Sequence, residues 1–133
     1  MHASIASYHA HIYYDAASTR GIAETIRAQI ADRFSVRLGR WHDEPVGPHP
    51  QAMYQVAFLP QVFPALAPWL MLNRSGLTIL IHPNTGAPRA DHLVHAVWLG
   101  AVLPLTGDVL PETEDIAMMA TEPNTVPRVP SDD

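Results

Sequence analysis

The segment from Tyr8 to Tyr14 constrains the fold most strongly, because its side chains divide into two sets at a spacing of two residues. It is rich in aromatic and branched residues, which are typical of a β-strand. In an extended strand, His9, His11 and Tyr13 point to one face, and the mostly apolar residues between them point to the other. The segment therefore predicts a strand that carries histidines on one face and core residues on the opposite face.

The rest of the chain alternates predicted helices and strands. Asp15 is a candidate N-cap for a helix from about Ala16 to Arg33, in which Ile22, Ile26 and Ile30 form an apolar stripe at four-residue spacing. The later predicted elements are a strand from Ser35 to Trp41, a proline-stiffened loop from His42 to Gln51, a strand from Met53 to Leu59, a helix from Pro60 to Asn73, a buried strand from Leu77 to His82 and a short helix from Asp91 to Leu99.

This order predicts an α+β fold of the ferredoxin-like βαββαβ type, with a four-stranded antiparallel sheet, an additional short C-terminal helix and an extended tail. The two long helices cover one face of such a sheet, so a second copy of the chain or the trailing segment must cover the other. Residues 1–110 are expected to form a single domain. Residues 111–133 are rich in proline and carboxylates, which predicts a tail that is solvated or wraps around a partner.

Composition excludes several kinds of chemistry. The 133 residues suffice for one domain and contain no cysteine, so disulfides, thiolate nucleophiles and sulfur-ligated metals are excluded. All eight basic residues are arginines, which excludes lysine Schiff bases. The net charge of −5, with no basic cluster, argues against nucleic acid as a partner. Without an apolar run long enough to span a bilayer or a secretory signal pattern, no membrane partner is expected and a cytoplasmic location is the default.

Several histidines lie beside prolines or turn residues, and a rigid backbone holds a ligand or proton carrier in place. His49 lies in the proline-stiffened loop and suits metal binding, acid–base work or a hydrogen bond that braces the loop. His82 ends the buried strand, and if it shares a face with Thr78 and Leu80 it approaches His11 across the sheet. His92 begins a predicted helix, whose N-terminus disfavours the imidazolium form.

The motifs together resemble the DOPA 4,5-dioxygenase family over Tyr8 to Leu105. The resemblance rests on His11-Ile12-Tyr13-Tyr14, Pro45-Val46-Gly47-Pro48-His49-Pro50, Pro68-Trp69-Leu70 with Asn73-Arg74, His82-Pro83-Asn84-Thr85-Gly86, Asp91-His92 and Ala96-Val97-Trp98-Leu99-Gly100. It implies a small ferredoxin-like enzyme, expected as a homodimer, that uses O₂ for extradiol cleavage of a small catechol such as DOPA or caffeate. Many bacterial members have no assigned substrate, so the resemblance supports the chemistry better than the substrate.

Extradiol cleavage commonly uses Fe(II), which needs a few nitrogen or carboxylate ligands and open neighbouring positions. The candidate ligands are His11, His82 and His49. His92 and His49 are the candidates for catalytic proton transfer. His9 shares a face with His11 and is interpreted as a second-sphere or surface residue.

A carboxylate ligand is not singled out by the sequence. Asp15, Glu44 and Asp91 lie near the motifs, and Asp91 can orient an imidazole, cap a helix or bind the metal. An all-histidine site would also suit zinc or nickel. Three histidines are predicted to be incidental: His2, His42 and His95.

The substrate-binding candidates are Arg40 and Arg74, because a guanidinium can grip a carboxylate with two hydrogen bonds. Tyr13, and with it Trp41 or Trp98, is a candidate wall for an aromatic ring. Alternatively, Arg40 and Arg74 are ordinary surface or interface residues, and the tryptophans pack in the core.

Two other functions stay open at this point. A cofactor-independent monooxygenase or isomerase on the same fold would keep its activity after chelation. A non-catalytic dimeric binding protein would use the histidines to brace the dimer or to hold a structural ion.

Overall fold

The computed structural model of the protein describes residues 4–129. Within this range the strands are β1 (Ser7–Tyr14), β2 (Arg37–Leu38), β3 (Ala52–Phe58), β4 (Ile79–Asn84) and β5 (Val97–Leu99). The α-helices are α1 (Arg20–Arg33), α2 (Phe63–Asn73) and α3 (Pro88–Leu93). Single turns of 3-10 helix span Pro60–Val62, Gly107–Val109 and Ile116–Met118.

The strands form one antiparallel sheet in the order β2-β3-β1-β4-β5. From β1 to β4 the elements follow the predicted βαββαβ order, and the α+β class is confirmed. The predicted number of four strands is wrong, because Val97–Leu99 pairs with β4 as a fifth strand. The sequence analysis placed these residues in a helix from Asp91 to Leu99. A short apolar run does not distinguish a helix from a strand, and here the pairing with β4 decides.

The first helix starts later than predicted. The carbonyl of Asp15 accepts hydrogen bonds from the amides of Ser18 and Thr19, and its carboxylate accepts one from the amide of Ala17. Asp15 therefore closes a turn, which competes with capping, and α1 begins at Arg20.

One face of the sheet packs against α1 and α2 to form the main core. Alternate residues of the strands supply this core, among them Ile12, Tyr54, Val56 and Ile79, each with an exposed fraction of 0%. The opposite face carries a small apolar cluster of Tyr13, Met53 and Leu80, next to the histidines.

The chain after residue 110 lines the cavity on this second face, and residues 124–125 then lie along the outer edge of β2. There the side chain of Asn124 accepts a hydrogen bond from the amide of Leu38 and donates one to its carbonyl. The hydroxyl of Thr125 likewise accepts from the amide of Val36 and donates to its carbonyl, and the backbone amides of Asn124 and Thr125 also donate to that carbonyl. Arg128 pairs with Asp32 of α1. The edge of β2 is thus covered by hydrogen bonds from the chain itself.

No helix within residues 4–129 combines the length and the apolar character needed to cross a membrane.

The predicted apolar stripe of α1 is wrong at one position and gives a test of the core. Ile26 is 1% exposed, whereas Ile22 is 39% exposed and Ala23 takes its place in the core. We expect Ile26→Ala to lower the free energy of unfolding by about 2–5 kcal/mol, because it leaves a buried cavity. Ile22→Ala should lower it by less than about 1 kcal/mol. Urea denaturation of both variants checks this, and equal losses would contradict the described packing.

Candidate functional site

The site is built on the sheet face that turns away from α1 and α2. His9 and His11 project from β1 on this face, because Ala10 and Ile12 fill the core on the other. In the register of β1 with β4, His82 stands directly opposite His9, and Leu80 stands opposite His11. Three histidines are thereby held on two neighbouring central strands.

Two further histidines approach from above the sheet. His49 comes from the loop before β3, where its amide bonds to the carbonyl of Val46 and Gly47 adopts a left-handed φ of 59°. The carbonyl of Pro48 also accepts a hydrogen bond from the amide of Thr106, which holds the loop in place. His92 comes from the last turn of α3 and not from the start of a helix as predicted, because Pro88 already begins this helix.

The five imidazoles form one cluster. The Nε2 atoms of His11 and His82 are 3.1 Å apart, and the ring centres of His82 and His92 are separated by 3.8 Å. The ring centre of His49 lies 4.2 Å from that of His11, and the ring centre of His9 lies 5.1 Å from that of His82. All five side chains are at most 9% exposed.

Backbone carbonyls determine the tautomers of two rings. Nδ1 of His82 lies 2.9 Å from the carbonyl of Pro83, and Nδ1 of His92 lies 2.7 Å from that of Pro88. A carbonyl only accepts, so each Nδ1 carries the hydrogen and each Nε2 keeps a lone pair in the neutral ring. This is the hydrogen-bonding pattern of histidines that bind metals through Nε2.

Tyr13 gives His49 the opposite tautomer. The hydroxyl of Tyr13 lies 2.6 Å from Nδ1 of His49, and burial raises the pKa of Tyr13, so the phenol stays protonated. Since a buried hydroxyl needs an acceptor, Tyr13 donates to Nδ1. Neutral His49 therefore carries its hydrogen on Nε2.

Burial lowers the pKa of all five histidines. The pKa falls to about 4 for His9 and for His49, and it lies well below 6.5 for His11 and His82. Loss of hydration is the main cause, and repulsion from neighbouring imidazoles adds to it. The pKa of His92 is also lowered, again chiefly by burial. At neutral pH the cluster is uncharged and offers nitrogen lone pairs.

The cluster lines a cavity of about 250 Å³. Its floor includes Gln55 and Asn84, and its roof includes residues from α3 and from the chain after residue 110, among them Leu110, Glu114 and Met119. The amide of Glu114 donates to the carbonyl of Gly86 at 2.8 Å, which fixes this part of the roof. Sequence reasoning missed Gln55, although it faces His11 in the register of β1 with β3. It also missed Glu114, for which the sequence carries no periodic signal.

The predicted carboxylate candidates are not part of a metal-binding group. Both carboxylate oxygens of Asp91 accept hydrogen bonds from Thr85, at 2.8 Å from its amide and 2.7 Å from its hydroxyl. Asp91 therefore holds the turn before α3, and it caps nothing because Ala87 precedes the helix. Asp15 and Glu44 are exposed and do not line the histidine cavity.

The predicted substrate-binding residues lie elsewhere. Arg40 is exposed, and Arg74 donates to the carbonyl of Leu77 in the turn before β4; neither lines the histidine cavity. Tyr13 lies under His49 and borders a separate cavity. Trp41 packs against Tyr54 on the helix side of the sheet.

The remaining predicted residues are Trp98, a candidate wall for the substrate ring, and the three histidines predicted to be incidental. Trp98 stacks on Tyr13, with ring centres 6.0 Å apart, beside the histidine cluster. His42 forms a backbone bridge with Met53, and His95 is exposed; neither lines the cavity. His2 lies outside the described residues.

Two groups of three histidines fit a metal ion, since each group places one ring nitrogen per residue within 4.8 Å of the others. The groups are His9, His11 and His82, and His11, His49 and His92. Neutral imidazole nitrogens are ligands that iron, zinc, nickel and copper share. The histidines present therefore fit a divalent transition metal.

The α+β fold and its buried histidine cluster together indicate a small protein with a candidate metal centre. Residues 8–109 match the Dopa 4,5-dioxygenase family, and the chain belongs to this family, which confirms the resemblance seen in its motifs.

The chain is similar in sequence or structure to three known proteins. It is 37% identical over 113 residues to an uncharacterized 21.2 kDa protein of Botryotinia fuckeliana, with 74% of this chain and 60% of that protein covered. It is 31% identical over 123 residues to the DOPA 4,5-dioxygenase of Amanita muscaria, with 86% and 54% covered. A crystal structure of a Nostoc punctiforme protein described as a candidate dioxygenase is similar with a TM-score of 0.77 at 55% identity, with 79% and 90% covered. The chain thus spans little more than half the length of the two fungal relatives.

The lowered pKa values predict how the stability of the metal-free protein depends on pH. The pKa of His9 and of His49 is about 4 in the folded state, against 6.5 for an unperturbed histidine, so the unfolded state binds more protons between these values. The free energy of unfolding should therefore fall as the pH is lowered from about 7 to about 4.

Urea denaturation in the presence of a chelator measures this slope. His9→Gln should reduce the slope, whereas His95→Gln, at an exposed position, should leave it unchanged. An unchanged slope in His9→Gln would show that His9 does not become protonated on unfolding in this range.

Proposed function

We propose that this protein is an extradiol ring-cleavage dioxygenase that acts with O₂ on a small catechol, DOPA-like or caffeate-like, at a histidine-bound divalent metal. The observation that carries the proposal is the buried, neutral cluster of five histidines in one cavity, in a chain that belongs to the Dopa 4,5-dioxygenase family. Fe(II) is the proposed metal, because when bound it would bind both catechol oxygens and let O₂ react at the ring carbons beside the diol. In the balanced reaction one ring C–C bond is broken and both atoms of O₂ enter the product.

The proposed metal ligands are His9, His11 and His82. All three lie on the central strands β1 and β4, and rigid strands hold ligands more precisely than loops do. His82 presents the lone pair of Nε2 toward Nε2 of His11. In the second histidine group, the hydrogen on Nε2 of His49 disfavours binding of a metal at that atom.

His92 is proposed to move a proton, and His49 to stabilise developing charge. Nε2 of His92 carries a lone pair and can accept a proton from a catechol hydroxyl. Neutral His49 carries its hydrogen on Nε2 and can donate a hydrogen bond to an oxygen that becomes negative during ring cleavage, while Tyr13 orients the ring through Nδ1. A base and a hydrogen-bond donor thus come from two elements above the sheet.

Turnover by the iron-loaded protein tests the proposal. Protein loaded anaerobically with Fe(II) and then given O₂ and a catechol should form a yellow ring-cleavage product, with one O₂ consumed per catechol. His82→Ala should remove both bound iron and activity, whereas His95→Ala should remove neither. Activity that survives complete chelation would indicate a metal-free monooxygenase or isomerase. Bound iron without turnover of any catechol would favour a binding protein.

A pair of variants separates metal ligands from the other catalytic histidines. His49→Ala should keep about one metal ion per chain and lower kcat by about 10²- to 10³-fold, the usual effect of removing one hydrogen-bond donor to a developing oxyanion. His9→Ala should lose the metal itself, as measured by metal analysis after desalting. If His49→Ala loses the metal and His9→Ala keeps it, the second histidine group is the metal site.

The homodimer and the cytoplasmic location stay predictions from the sequence analysis. So does the division into a domain of residues 1–110 and a tail of residues 111–133.

A further inference from the structure

A second cavity adjoins the histidine cavity on the same face of the sheet. It has a volume of about 300 Å³ and shares part of its lining with the first, namely His9, Gln55, Glu114 and Met119. Its other lining residues include Arg37 and Gly39 of the β2 edge. A ligand bound at the histidines can therefore extend toward β2.

The register of the sheet places Arg37 on this face. Arg37 pairs with Ala57, Ala57 pairs with His9, and His9 pairs with His82, so the four residues form one row across four strands. Paired residues share a face, and Val36, just before Arg37, is fully buried in the core on the opposite side. Ala57 carries only a methyl group, which leaves space between Arg37 and the histidines. Two strand spacings separate the backbones of Arg37 and His9, about 10 Å.

The guanidinium of Arg37 is available for an anion. Within residues 4–129 it forms no ion pair with a carboxylate, and its hydrogen bond to the carbonyl of Glu122 is long, at 3.4 Å. Arg20, Arg89 and Arg128, by contrast, are each paired with a carboxylate. Arg37 supplies the cationic side chain in the lining of the two joined cavities, since the buried histidines there are neutral.

We infer that Arg37 binds a carboxylate on the side arm of the catechol and so determines specificity for acid-bearing catechols over neutral ones. This inference rests on the proposed function for the position of the diol. A guanidinium binds a carboxylate through paired, charge-assisted hydrogen bonds. Glu114 also lines this cavity, but it is exposed and forms no ion pair with Arg37, so solvent screens its repulsion of a ligand carboxylate. Arg37, rather than Arg40 or Arg74, is thereby the substrate-binding arginine.

A pair of catechols that differ in charge tests the assignment. For the iron-loaded enzyme, Arg37→Gln should lower kcat/KM for 3-(3,4-dihydroxyphenyl)propanoate by about 10- to 100-fold, mainly through KM. The value for 4-ethylcatechol, which has no carboxylate, should change by less than about twofold. Arg37→Lys should recover part of the loss, and Arg40→Gln, at an exposed position outside both cavities, should behave as wild type.

Calorimetric binding to the metal-free protein separates this inference from the proposed function. 3-(3,4-Dihydroxyphenyl)propanoate should bind wild type more tightly than Arg37→Gln by a similar factor, even if no catechol is turned over. Thermal melting of each variant confirms that it is folded. Equal losses for the acid and for 4-ethylcatechol, or a selective loss in Arg40→Gln instead, would overturn the assignment of Arg37.

Discussion

Strand β1 lies between β3 and β4, and its successive residues face two different environments on opposite faces of the sheet. Ile12 packs in the apolar core under the helices, while the adjacent His11 belongs to a buried polar cluster on the opposite face. The hydrogen bonds to β3 and β4 hold this register on both sides. A shift by one residue would move the imidazoles into the core and apolar side chains into the cavity, so core packing and site geometry stabilise the same register.

The cluster itself combines properties that are useful together. Burial removes the hydration that a charged imidazole needs, and repulsion between neighbouring rings adds to this effect, so the five histidines remain neutral and keep nitrogen lone pairs at neutral pH. Backbone carbonyls and Tyr13 then assign different tautomers to the rings of His82 and His49. The same type of side chain thereby takes two roles: His82 can bind a cation through Nε2, and His49 can donate a hydrogen bond from Nε2. Residues of α3 and of the chain from Leu110 onwards also line the cavity, and the burial of the imidazoles strengthens these interactions.

Strand periodicity allowed part of this site to be predicted from sequence. The placement of His11 and His82 on one face of the sheet follows from alternation along two strands, which is a local property. Because Val36 is buried in the core, the same alternation places Arg37 on the histidine face and would have favoured it over Arg40 as a substrate-binding residue. The predicted strand was too long, however, and its pairing was unknown. Glu114 could not be predicted, because the segment that carries it has no repeat, and long-range hydrogen bonds such as that to Gly86 determine its course.

One divalent metal is proposed to bind among the histidines of β1 and β4. A crystal soaked with Zn²⁺, with data collected on both sides of the zinc absorption edge, tests it without depending on catalysis. We expect one anomalous peak in the cavity, bonded to His9, His11 and His82 at about 2.0–2.1 Å, the usual Zn–N distance. A cavity without a peak, or zinc bound only at exposed sites such as His95, would contradict the claim.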